Sequence, residues 1–363
     1  MKKVLFLVNR DFVLYNFRIE LVERLLQEKN EVYICLPYGE KVDEMVKMGC
    51  KFIPIEIDKR GTNPVKDFKL IRDYRRIFRE VKTDVILMYT TKVCIYGGIV
   101  AGRMGIPYLE NISGLGTAVE NKSAIQGLMI QLYKAAVKKA SCVFFQNNNN
   151  LEFFNNHKIK CKKYKVIPGS GVNLERWYPM EYPSEENGIH FLFIARVIKE
   201  KGIEQYLQCA KYIRKKYPNT VFHVLGPCDG DYKDILGKYQ ENGIIEYHGM
   251  IQDTREYLKF AHCTIHPSFY PEGISNVLLE SAACCRPVIT TDRSGCKDTV
   301  DDGLSGFICK QQDTKSLIDC VERFLALSND ERKTMGVKGR EKVKREFDRQ
   351  TVINAYMEEI SSM

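Results

Sequence analysis

The stretch CTIHPSFYPEGISNVLLESAACCRPVIT, residues 263–290, decides the fold class of this chain. It begins with an apolar strand pattern at Cys263–His266, continues with a helix pattern at Ser275–Cys284 and ends with a strand pattern at Val288–Thr290. Ser275 is a good helix N-cap residue, so the helix is expected to follow a short loop directly. A strand, a helix and a strand in so short a stretch predict two strands of one parallel sheet.

The same alternation of strands and helices extends outward through both halves of the chain. The predicted strands of the first half are Val4–Val8, Val32–Leu36, Phe52–Ile55, Val85–Met88, Tyr108–Ile112, Val143–Gln146 and Lys165–Ile167. Its predicted helices are Phe17–Lys29, Glu40–Met48, Pro64–Lys82, Val93–Met104 and Ser123–Lys139. The pattern restarts at strand His190–Ile194 after a looser stretch at residues 177–188. Strands that alternate with helices of this length are typical of a doubly wound parallel sheet.

The length of 363 residues exceeds the size of one ordinary core, so two domains are expected. We predict an α/β domain at residues 1–170 and a second at 171–347, with a last helix at about 348–363 that packs back onto the first. Two such domains facing each other would form a deep cleft. Ligands of these sheets bind beyond the carboxyl ends of the strands.

Composition favours a cytoplasmic protein with reduced thiols. The chain has no apolar stretch of the roughly 20 residues that span a bilayer, and its first apolar run is too short for a signal peptide. Its 13 cysteines show neither CxxC nor zinc-finger spacing, so they are expected to pack as small apolar side chains.

The positive charge lies in the first half of the chain. The formal net charge is +9 overall, +12 for residues 1–170 and −3 for residues 171–363. A basic half joined to a nearly neutral half suggests that the first half binds something anionic.

Two carboxylates of the second half, Glu272 and Glu280, indicate a nucleotide-sugar site. Glu272 precedes a predicted helix start, where a phosphate also binds well. Glu280 lies among apolar helix residues, where a charge is costly without hydrogen-bond donors. Sugar and ribose hydroxyls are such donors.

A loop after the strand His190–Ile194 supplies the matching positive charge. It carries Arg196 and Lys201. A guanidinium fork and an ammonium group suit a diphosphate, whose negative charge grows when a sugar–phosphate bond breaks. Taken alone, the two groups could be solvated surface cations; together with the carboxylates they favour a diphosphate site.

Several motifs, in this order, resemble those of retaining family 4 glycosyltransferases with the GT-B fold, which has two Rossmann-like domains. In the second half they are IPGSGVNLERW, FIARVIKEKGI, VLGPCDG, HPSFYPEGISNVLLESAACCRPVITTD and SGCKDTVDDGLSGFI. In the first half they are YNFRIELVERLL, DKRGTNPVKDFKLI, YTTKVCIYGGIVAGRMGIPYLENISGLGTA and FFQN. The first-half segments resemble bacterial capsule, exopolysaccharide and glycan-precursor transferases that act on lipid-diphosphate-linked sugars.

The resemblance implies a role for each matching residue of the second half. Glu272 would accept hydrogen bonds from the donor sugar, and Arg196 and Lys201 would stabilise the leaving nucleotide, which makes these three the catalytic residues. Other residues would bind the donor through ribose, phosphate or base contacts or by close backbone approach; they are Glu280, Gly273, Ile274, Ser275, Met250, Ile251, Gly169 and Gly171.

On the acceptor side, the resemblance implies polar groups that face the cleft from the first domain. They are Asn16, Arg18, Arg60, Lys92, Ser113 and Gly114. Many relatives have a glycine pair in the first loop, where residues 9–12 read Asn-Arg-Asp-Phe in this chain. Phosphate contacts from that loop therefore do not carry over.

Neither a cofactor nor a metal is expected. Asp229-Gly230-Asp231 matches an Asp-x-Asp metal motif but follows Gly-Pro-Cys, as a turn would. The glycines at 114–116 and 169–171 lack the third glycine of a dinucleotide motif. The histidines, including His223 and His248, show no metal-ligand spacing, and His248 lies near the expected base pocket.

The expected activity is transfer of a hexose or N-acetylhexosamine from a UDP-sugar to an undecaprenyl-diphosphate-linked saccharide. Basic amphipathic patterns at Pro64–Lys82 and Ile125–Lys139 fit peripheral binding to an anionic inner membrane, although their apolar stripes could equally pack on the sheet. A soluble-acceptor transferase, a GT-B sugar-nucleotide epimerase and a basic nucleic-acid-binding protein are the alternatives. The last leaves the paired carboxylates unexplained and lacks a nucleic-acid fold signature.

Overall fold

The computed structural model describes residues 1–58, 63–115, 123–228, 230, 232–271 and 273–363. The chain divides into two compact units. Unit 1 contains Met1–Ser170 and Gln350–Met363, and unit 2 contains Gly171–Arg349. The first boundary is the expected one, and the second lies two residues from the expected position.

Unit 1 is built on a parallel sheet of seven strands in the order β3-β2-β1-β4-β5-β6-β7. The strands are β1 (Lys3–Leu7), β2 (Glu31–Leu36), β3 (Lys51–Pro54), β4 (Val85–Tyr89), β5 (Tyr108–Ile112), β6 (Cys142–Phe145) and β7 (Tyr164–Val166). The central strands β4 and β5 are buried along their whole length. Strand β4 is apolar throughout, as is usual in a parallel sheet covered on both faces, whereas β5 carries the buried polar residues Glu110 and Asn111.

Helices cover both faces of this sheet. They are α1 (Asp11–Gln27), α2 (Val42–Lys47), α3 (Pro64–Val81), α4 (Thr91–Met104), α5 (Ala124–Val137), α6 (Asn148–Asn156) and, from the C-terminus, α13 (Arg349–Ser361). Helices α1, α2 and α13 pack in one apolar core. Helices α3 to α6 pack in the other.

Unit 2 repeats the plan with a parallel sheet of six strands in the order β10-β9-β8-β11-β12-β13. Its strands are β8 (Ile189–Ile194), β9 (Thr220–Leu225), β10 (Glu246–Gly249), β11 (Cys263–His266), β12 (Val288–Thr291) and β13 (Gly306–Cys309). Its helices are α7 (Ile203–Lys216), α8 (Lys233–Glu241), α9 (Arg255–Leu258), α10 (Asn276–Ala283), α11 (Thr314–Leu325) and α12 (Asn329–Glu346). Helices α7, α8 and α11 pack on one face, and α9, α10 and α12 on the other.

The predicted α/β class with parallel sheets is confirmed, but the first helix begins earlier than predicted. Helix α1 starts at Asp11, whose carboxylate lies in the first turn and accepts the backbone N–H of Lys41 at 2.9 Å. An acidic group in a first turn also complements the helix dipole. Asn16 and Arg18 therefore lie inside α1, and the prediction that they start the helix is wrong.

Four helices and strands had no counterpart among the predicted ones: α6, α8, α9 and β13. The polar sequence of α6 hides its helix, although Asn147 caps it by accepting the backbone N–H of Asn150 at 2.9 Å. Strand β13 has four residues, and an added Cβ on its Gly306 would lie 2.1 Å from the Val288 carbonyl oxygen of β12. Glycine weakens a strand pattern, yet here it permits the close pairing.

Among the residues that the structure describes, none of the helices combines the length and the apolar composition needed to cross a membrane.

Candidate active site

The loop between β8 and α7 lies at the carboxyl end of the unit 2 sheet and carries both predicted cations. Residues Lys199–Lys201 form a short 3₁₀ helix that ends at Gly202, which has a φ of 78°. A Cβ on Gly202 would lie 2.1 Å from the Pro267 carbonyl oxygen. The Phe269 N–H donates to the Glu200 carbonyl at 2.9 Å. The loop is therefore pressed against the segment that follows β11, the strand beside β8.

The side chains of Arg196 and Lys201 converge on one aromatic ring. The Arg196 Cζ lies 5.8 Å and the Lys201 Nζ 5.2 Å from the centroid of the Tyr270 ring. Both distances are within the range of a cation–π interaction. Two cations held on the same ring are well placed to bind a dianion, and the diphosphate-binding role of Arg196 and Lys201 stays a prediction. Sequence reasoning missed Tyr270, although the ring lies two positions before Glu272.

Residue 272 lies outside the described residues, so the predicted role of Glu272 stays a prediction. The residues after it, Gly273, Ile274 and Ser275, are buried. Ser275 occupies the N-cap position of α10, as predicted. Its backbone N–H, however, donates to the Gly295 carbonyl oxygen at 2.9 Å. The backbone N–H of Ser275 thus has a partner within unit 2, and the donor-binding role of Ser275 stays a prediction.

Glu280 is a half-buried carboxylate on α10. Burial raises the pKa of Glu280 to about 7, against the opposing effect of the positive charges of Arg349 and Arg176. The apolar neighbours of Glu280 in the sequence predicted that a charge is costly at this position. The two arginines could not be predicted from the sequence, because they lie 69 and 104 positions away along the chain.

Arg349 is held in place by the backbone at Gly171. Its Nη2 donates to the Gly171 carbonyl oxygen at 3.1 Å, and its backbone N–H donates to the Val172 carbonyl at 3.1 Å. A Cβ on Gly171, which has a φ of 64°, would lie 2.6 Å from the Arg349 Cα. The predicted close backbone approach at Gly171 therefore occurs, but toward Arg349. Gly169 also has a positive φ, 62°, in unit 1.

The predicted base-binding residues follow β10. Met250 is exposed, and Ile251 packs on the core beneath α10. Gly226, at the end of β9, donates its N–H to the Gly249 carbonyl oxygen at 2.7 Å, and a Cβ on it would lie 1.8 Å from the Ala195 carbonyl oxygen. These contacts gather the ends of β8, β9 and β10 at one edge of the sheet.

In unit 1, Arg18 occupies a different environment from the one predicted. Its side chain is 4% exposed, and its Cζ lies 5.1 Å from the Tyr89 ring centroid and 5.7 Å from that of Tyr356. Its Nη1 donates to the Phe17 carbonyl oxygen at 2.6 Å. A position facing the cleft was expected, whereas the structure buries the guanidinium against two aromatic rings of unit 1. Asn16, on the same helix, is half-buried.

Lys92 lies in the first turn of α4, directly after β4. Its Nζ forms an ion pair with the Asp67 carboxylate at 2.7 Å, and the other oxygen of Asp67 accepts the Tyr96 hydroxyl at 2.7 Å. The preceding Thr90 has a φ of 75°, which is strained for a β-branched residue. The strain is located where β4 passes into α4, at the carboxyl edge of the sheet.

The other acceptor-side candidates follow the neighbouring strand or fall in a gap. Ser113 is exposed and Gly114 half-buried, directly after β5. Arg60 lies outside the described residues, as do Asp229 and Asp231 of the Asp-x-Asp sequence.

Two family models match the chain and together span most of it. Residues 3–147 match the model "Glycosyl transferase 4-like". Residues 179–342 match the model "Glycosyl transferases group 1". The chain is a glycosyltransferase. The two matches correspond to unit 1 and unit 2 and confirm the resemblance drawn from the sequence motifs.

Relatives of this glycosyltransferase act in bacterial glycan synthesis. One is the N,N'-diacetylbacillosaminyl-diphospho-undecaprenol alpha-1,3-N-acetylgalactosaminyltransferase of Campylobacter jejuni, 26% identical over 90% of this chain and 89% of the relative. Another is the capsular polysaccharide biosynthesis glycosyltransferase CapM of Staphylococcus aureus, 28% identical over 94% of this chain and 91% of the relative.

Solved structures show the same fold. Anabaena HepE in complex with UDP and glucose superposes with a TM-score of 0.82 at 16% identity, covering 100% of both chains. TarM superposes with a TM-score of 0.75 at 12% identity, covering 99% of this chain and 98% of that one. The predicted GT-B fold is thereby confirmed.

Proposed function

We propose that this protein is a retaining, metal-independent glycosyltransferase that moves a hexose or N-acetylhexosamine from a UDP-sugar to an undecaprenyl-diphosphate-linked saccharide. The product would enter a bacterial surface polysaccharide or related glycan. The convergence of Arg196 and Lys201 on Tyr270, at the carboxyl ends of β8 and β11, carries this proposal. The acceptor class rests on the Campylobacter and Staphylococcus relatives.

The two cations would stabilise the leaving group. When the bond between the anomeric carbon and the donor phosphate oxygen breaks, negative charge develops on the nucleoside diphosphate. A guanidinium and an ammonium group fixed before the reaction stabilise that charge without reorganisation. They would supply the positive charge that a divalent cation supplies in metal-dependent transferases, so the transfer itself needs no metal.

The proton of the acceptor would leave through the substrate. The acceptor oxygen bonds to the anomeric carbon on the face from which the phosphate departs, and its proton passes to the departing phosphate oxygen. This step retains the configuration and needs no protein base. Glu272 would orient the sugar by accepting hydrogen bonds from its hydroxyl groups.

Glu280 would bind the nucleoside end of the donor. Ribose hydroxyls would donate to its carboxylate and so favour the ionised form that burial disfavours. Arg349 and Arg176, which lower the cost of that charge, would keep the carboxylate ready for the ligand. Met250 and Ile251 would border the base through backbone atoms.

In unit 1, the acceptor diphosphate would meet Lys92, Arg60, Ser113 and Gly114. The strained Thr90 supports this assignment, because backbone strain persists where a particular geometry is needed. It sets the start of α4 and the ammonium group of Lys92 at the carboxyl edge of the sheet.

We further propose that unit 1 binds the membrane surface through an apolar rim, defined as Val65 and Phe68 of α3 with Ile125 and Leu128 of α5. All four side chains are exposed, Val65 by 78% and Phe68 by 71%. Both helices begin at the carboxyl edge of one parallel sheet, in the same layer. The later apolar residues of α3, such as Tyr74 and Phe78, are buried. Packing on the sheet therefore explains the apolar residues in the later turns of α3, but it does not explain Val65 and Phe68 near the start of the helix.

Basic side chains surround the α3 part of this rim. Lys66, Lys69 and Arg72 are exposed, and the first two form surface ion pairs with Asp58 and Glu56. Such pairs contribute little in water, so anionic lipid can compete for the lysines. Apolar insertion combined with basic charge is the usual basis of interfacial binding.

Co-sedimentation with anionic vesicles tests the rim. The double variant Val65→Ser/Phe68→Ser is expected to lose about tenfold in vesicle binding, because each side chain loses its apolar insertion. Ile235→Ser/Val337→Ser removes two exposed apolar side chains of unit 2 and is the matched control. Equal vesicle binding by the two double variants, or tighter retention on DNA than on vesicles, would contradict the proposal.

A donor and acceptor screen tests the activity. We expect one or a few UDP-sugars to raise the melting temperature and to be transferred to an undecaprenyl-diphosphate-linked saccharide, with the anomeric configuration of the donor kept in the NMR spectrum of the product. EDTA should leave the rate unchanged, and Glu272→Ala should abolish transfer. Transfer only to soluble sugars would overturn the proposed acceptor, and epimerisation of the UDP-sugar would overturn the proposed reaction. Inversion of the anomeric configuration would contradict a retaining mechanism. An increase of the rate on addition of Mg²⁺ or Mn²⁺ would contradict metal independence.

A further inference from the structure

Three side chains that could ligate a metal meet at the open edge of the unit 2 sheet. His223, Glu246 and His248 are called the edge triad below. Strand β10 is the outermost strand, and its Glu246 is paired in register with His223 of β9. The pairing of β10 with β9 is irregular at His248, between Tyr247 and Gly249, and the side chains of Glu246 and His248 both reach His223. The register therefore unites groups that the sequence separates by 23 residues and more.

The ligand atoms of the edge triad point toward one another. The His223 Nδ1 lies 3.0 Å from the His248 Nε2 and 3.2 Å from the Glu246 Oε2. The His248 Nε2 lies 3.8 Å from the same carboxylate oxygen. All three atoms lie within 4.8 Å of one another. Two imidazoles and one carboxylate are a common zinc ligand set, in which a water completes the tetrahedron.

Hydrogen bonds behind His223 orient its ring. The His223 Nε2 lies 2.9 Å from the His190 Nδ1, and the His190 Nε2 lies 3.1 Å from the Asn187 carbonyl oxygen. These contacts engage the Nε2 of His223 and leave its Nδ1 directed at the edge triad.

We propose that the edge triad binds a divalent transition-metal ion of the zinc class, with a water in the remaining position. The relay from His223 through His190 to the Asn187 carbonyl orients the buried ligand, as the hydrogen bonds behind metal-bound histidines usually do. The rings of Phe260 and Tyr257 pack against His223 and His248 with centroids 5.4 and 4.8 Å away. The ion would be structural, and the transfer reaction would not use it.

The ion would hold the edge strand in place. Strand β10 has four residues, and its pairing with β9 is irregular between Tyr247 and Gly249. A short edge strand is weakly held. A metal that bridges β9 and β10 binds the folded state and therefore stabilises it.

Titration of the metal-free protein with ZnCl₂, followed by calorimetry and repeated with Co²⁺ for its visible spectrum, tests the site. We expect one equivalent of Zn²⁺ to bind, the Co²⁺ form to show tetrahedral absorption, and the melting temperature to rise. Glu246→Gln and His248→Ala should each weaken binding by about tenfold or more. His223→Ala is not a clean test of zinc binding, because His223 is 3% exposed and its loss would also remove core packing of unit 2.

The matched controls are Glu241→Gln and His157→Ala, which remove a carboxylate and an imidazole outside the edge triad. Both should bind Zn²⁺ as the unchanged protein does. Absence of a bound equivalent, or Zn²⁺ affinity in Glu246→Gln and His248→Ala equal to that of the controls, would overturn the proposal. The latter result would place the bound ion outside the edge triad.

Discussion

At the scale of single residues, the positively charged side chains predicted for the site lie in two different environments. Arg196 and Lys201 share the face of Tyr270, whereas Arg18 is packed between two tyrosines inside unit 1. The sequence identified the first two because their loop motif matches a known pattern. It failed for Arg18, since a position on a helix does not reveal which rings enclose the side chain.

Lys201→Ala and Arg196→Ala are each expected to lower kcat/KM for transfer by about a hundredfold or more, because one fixed charge on the leaving group is lost. Lys199→Ala is the matched control, since Lys199 is an exposed lysine of the same 3₁₀ helix. It should stay within about twofold of the unchanged protein. Initial rates with the selected UDP-sugar measure all three, and equal loss in Lys199→Ala would contradict the assignment.

The pKa of Glu280 predicts how donor affinity depends on pH. Its folded-state pKa of about 7 is raised from 4.5, and ribose hydroxyls favour the ionised carboxylate. Below pH 7 the group must ionise before it accepts those hydrogen bonds, which costs about 1.4 kcal/mol per pH unit. Affinity for the UDP-sugar should therefore fall roughly tenfold per unit below pH 7 and be constant above about pH 8.

Calorimetry from pH 5 to 9 measures this dependence. A UDP-sugar is preferred to UDP because its diphosphate does not titrate in this range. Glu280→Gln should bind more weakly at pH 8 and lose the dependence. A slope in Glu280→Gln equal to that of the unchanged protein would assign the titration to another group.

At the scale of elements, helices and loops position the site through close backbone contacts. Helix α12 packs on the segment after α10, the helix that carries Glu280, and an added Cβ on its Gly336 would lie 2.1 Å from the Cys285 carbonyl oxygen. The sequence pattern predicted α10 to within one residue at each end. It could not predict which glycine is needed, since a mid-helix glycine is unfavourable unless something approaches it.

Substitutions at two helical glycines distinguish a glycine that another backbone approaches closely from one that lies in open space. Gly336→Ala should destabilise unit 2 by about 1–3 kcal/mol, because the methyl group forces α12 away from the Cys285 carbonyl. Gly237→Ala in α8 should stabilise it by about 0.5–1 kcal/mol, because the new Cβ would meet none of the described atoms within 4 Å. Urea unfolding measures both free energies. Equal shifts of the same sign would show that helix propensity alone decides.

At the scale of the whole molecule, the chain leaves unit 1 after Ser170 and returns to it after Arg349. The returning helix α13 completes a core, because Val352, Ile353, Tyr356 and Ile360 are buried against the strands of unit 1. The Tyr356 hydroxyl accepts the side-chain N–H of Asn111 at 2.7 Å. The sequence pattern predicted a last helix at about residues 348–363, whereas its packing on the first domain was an expectation that the pattern itself did not supply. The contact between Asn111 and Tyr356, which are 245 positions apart, could not be predicted from sequence spacing. The same holds for the contacts within the edge triad and for the position of Arg349 near Glu280.

Tyr356→Ala is therefore expected to destabilise unit 1 by about 3–5 kcal/mol through loss of a large buried ring. Asn354→Ala, at an exposed position of the same helix, should change the free energy of unfolding by less than about 0.5 kcal/mol. Circular dichroism during urea unfolding measures both variants. Equal stability of the two would show that unit 1 folds without this helix.

The central claim is that Arg196 and Lys201 bind the diphosphate of a UDP-sugar at the carboxyl edge of the unit 2 sheet. A crystal structure of the protein with UDP tests it most directly. We predict diphosphate oxygens about 3 Å from the Arg196 guanidinium and the Lys201 ammonium group, with the ribose on Glu280. UDP bound away from these three side chains would contradict the account.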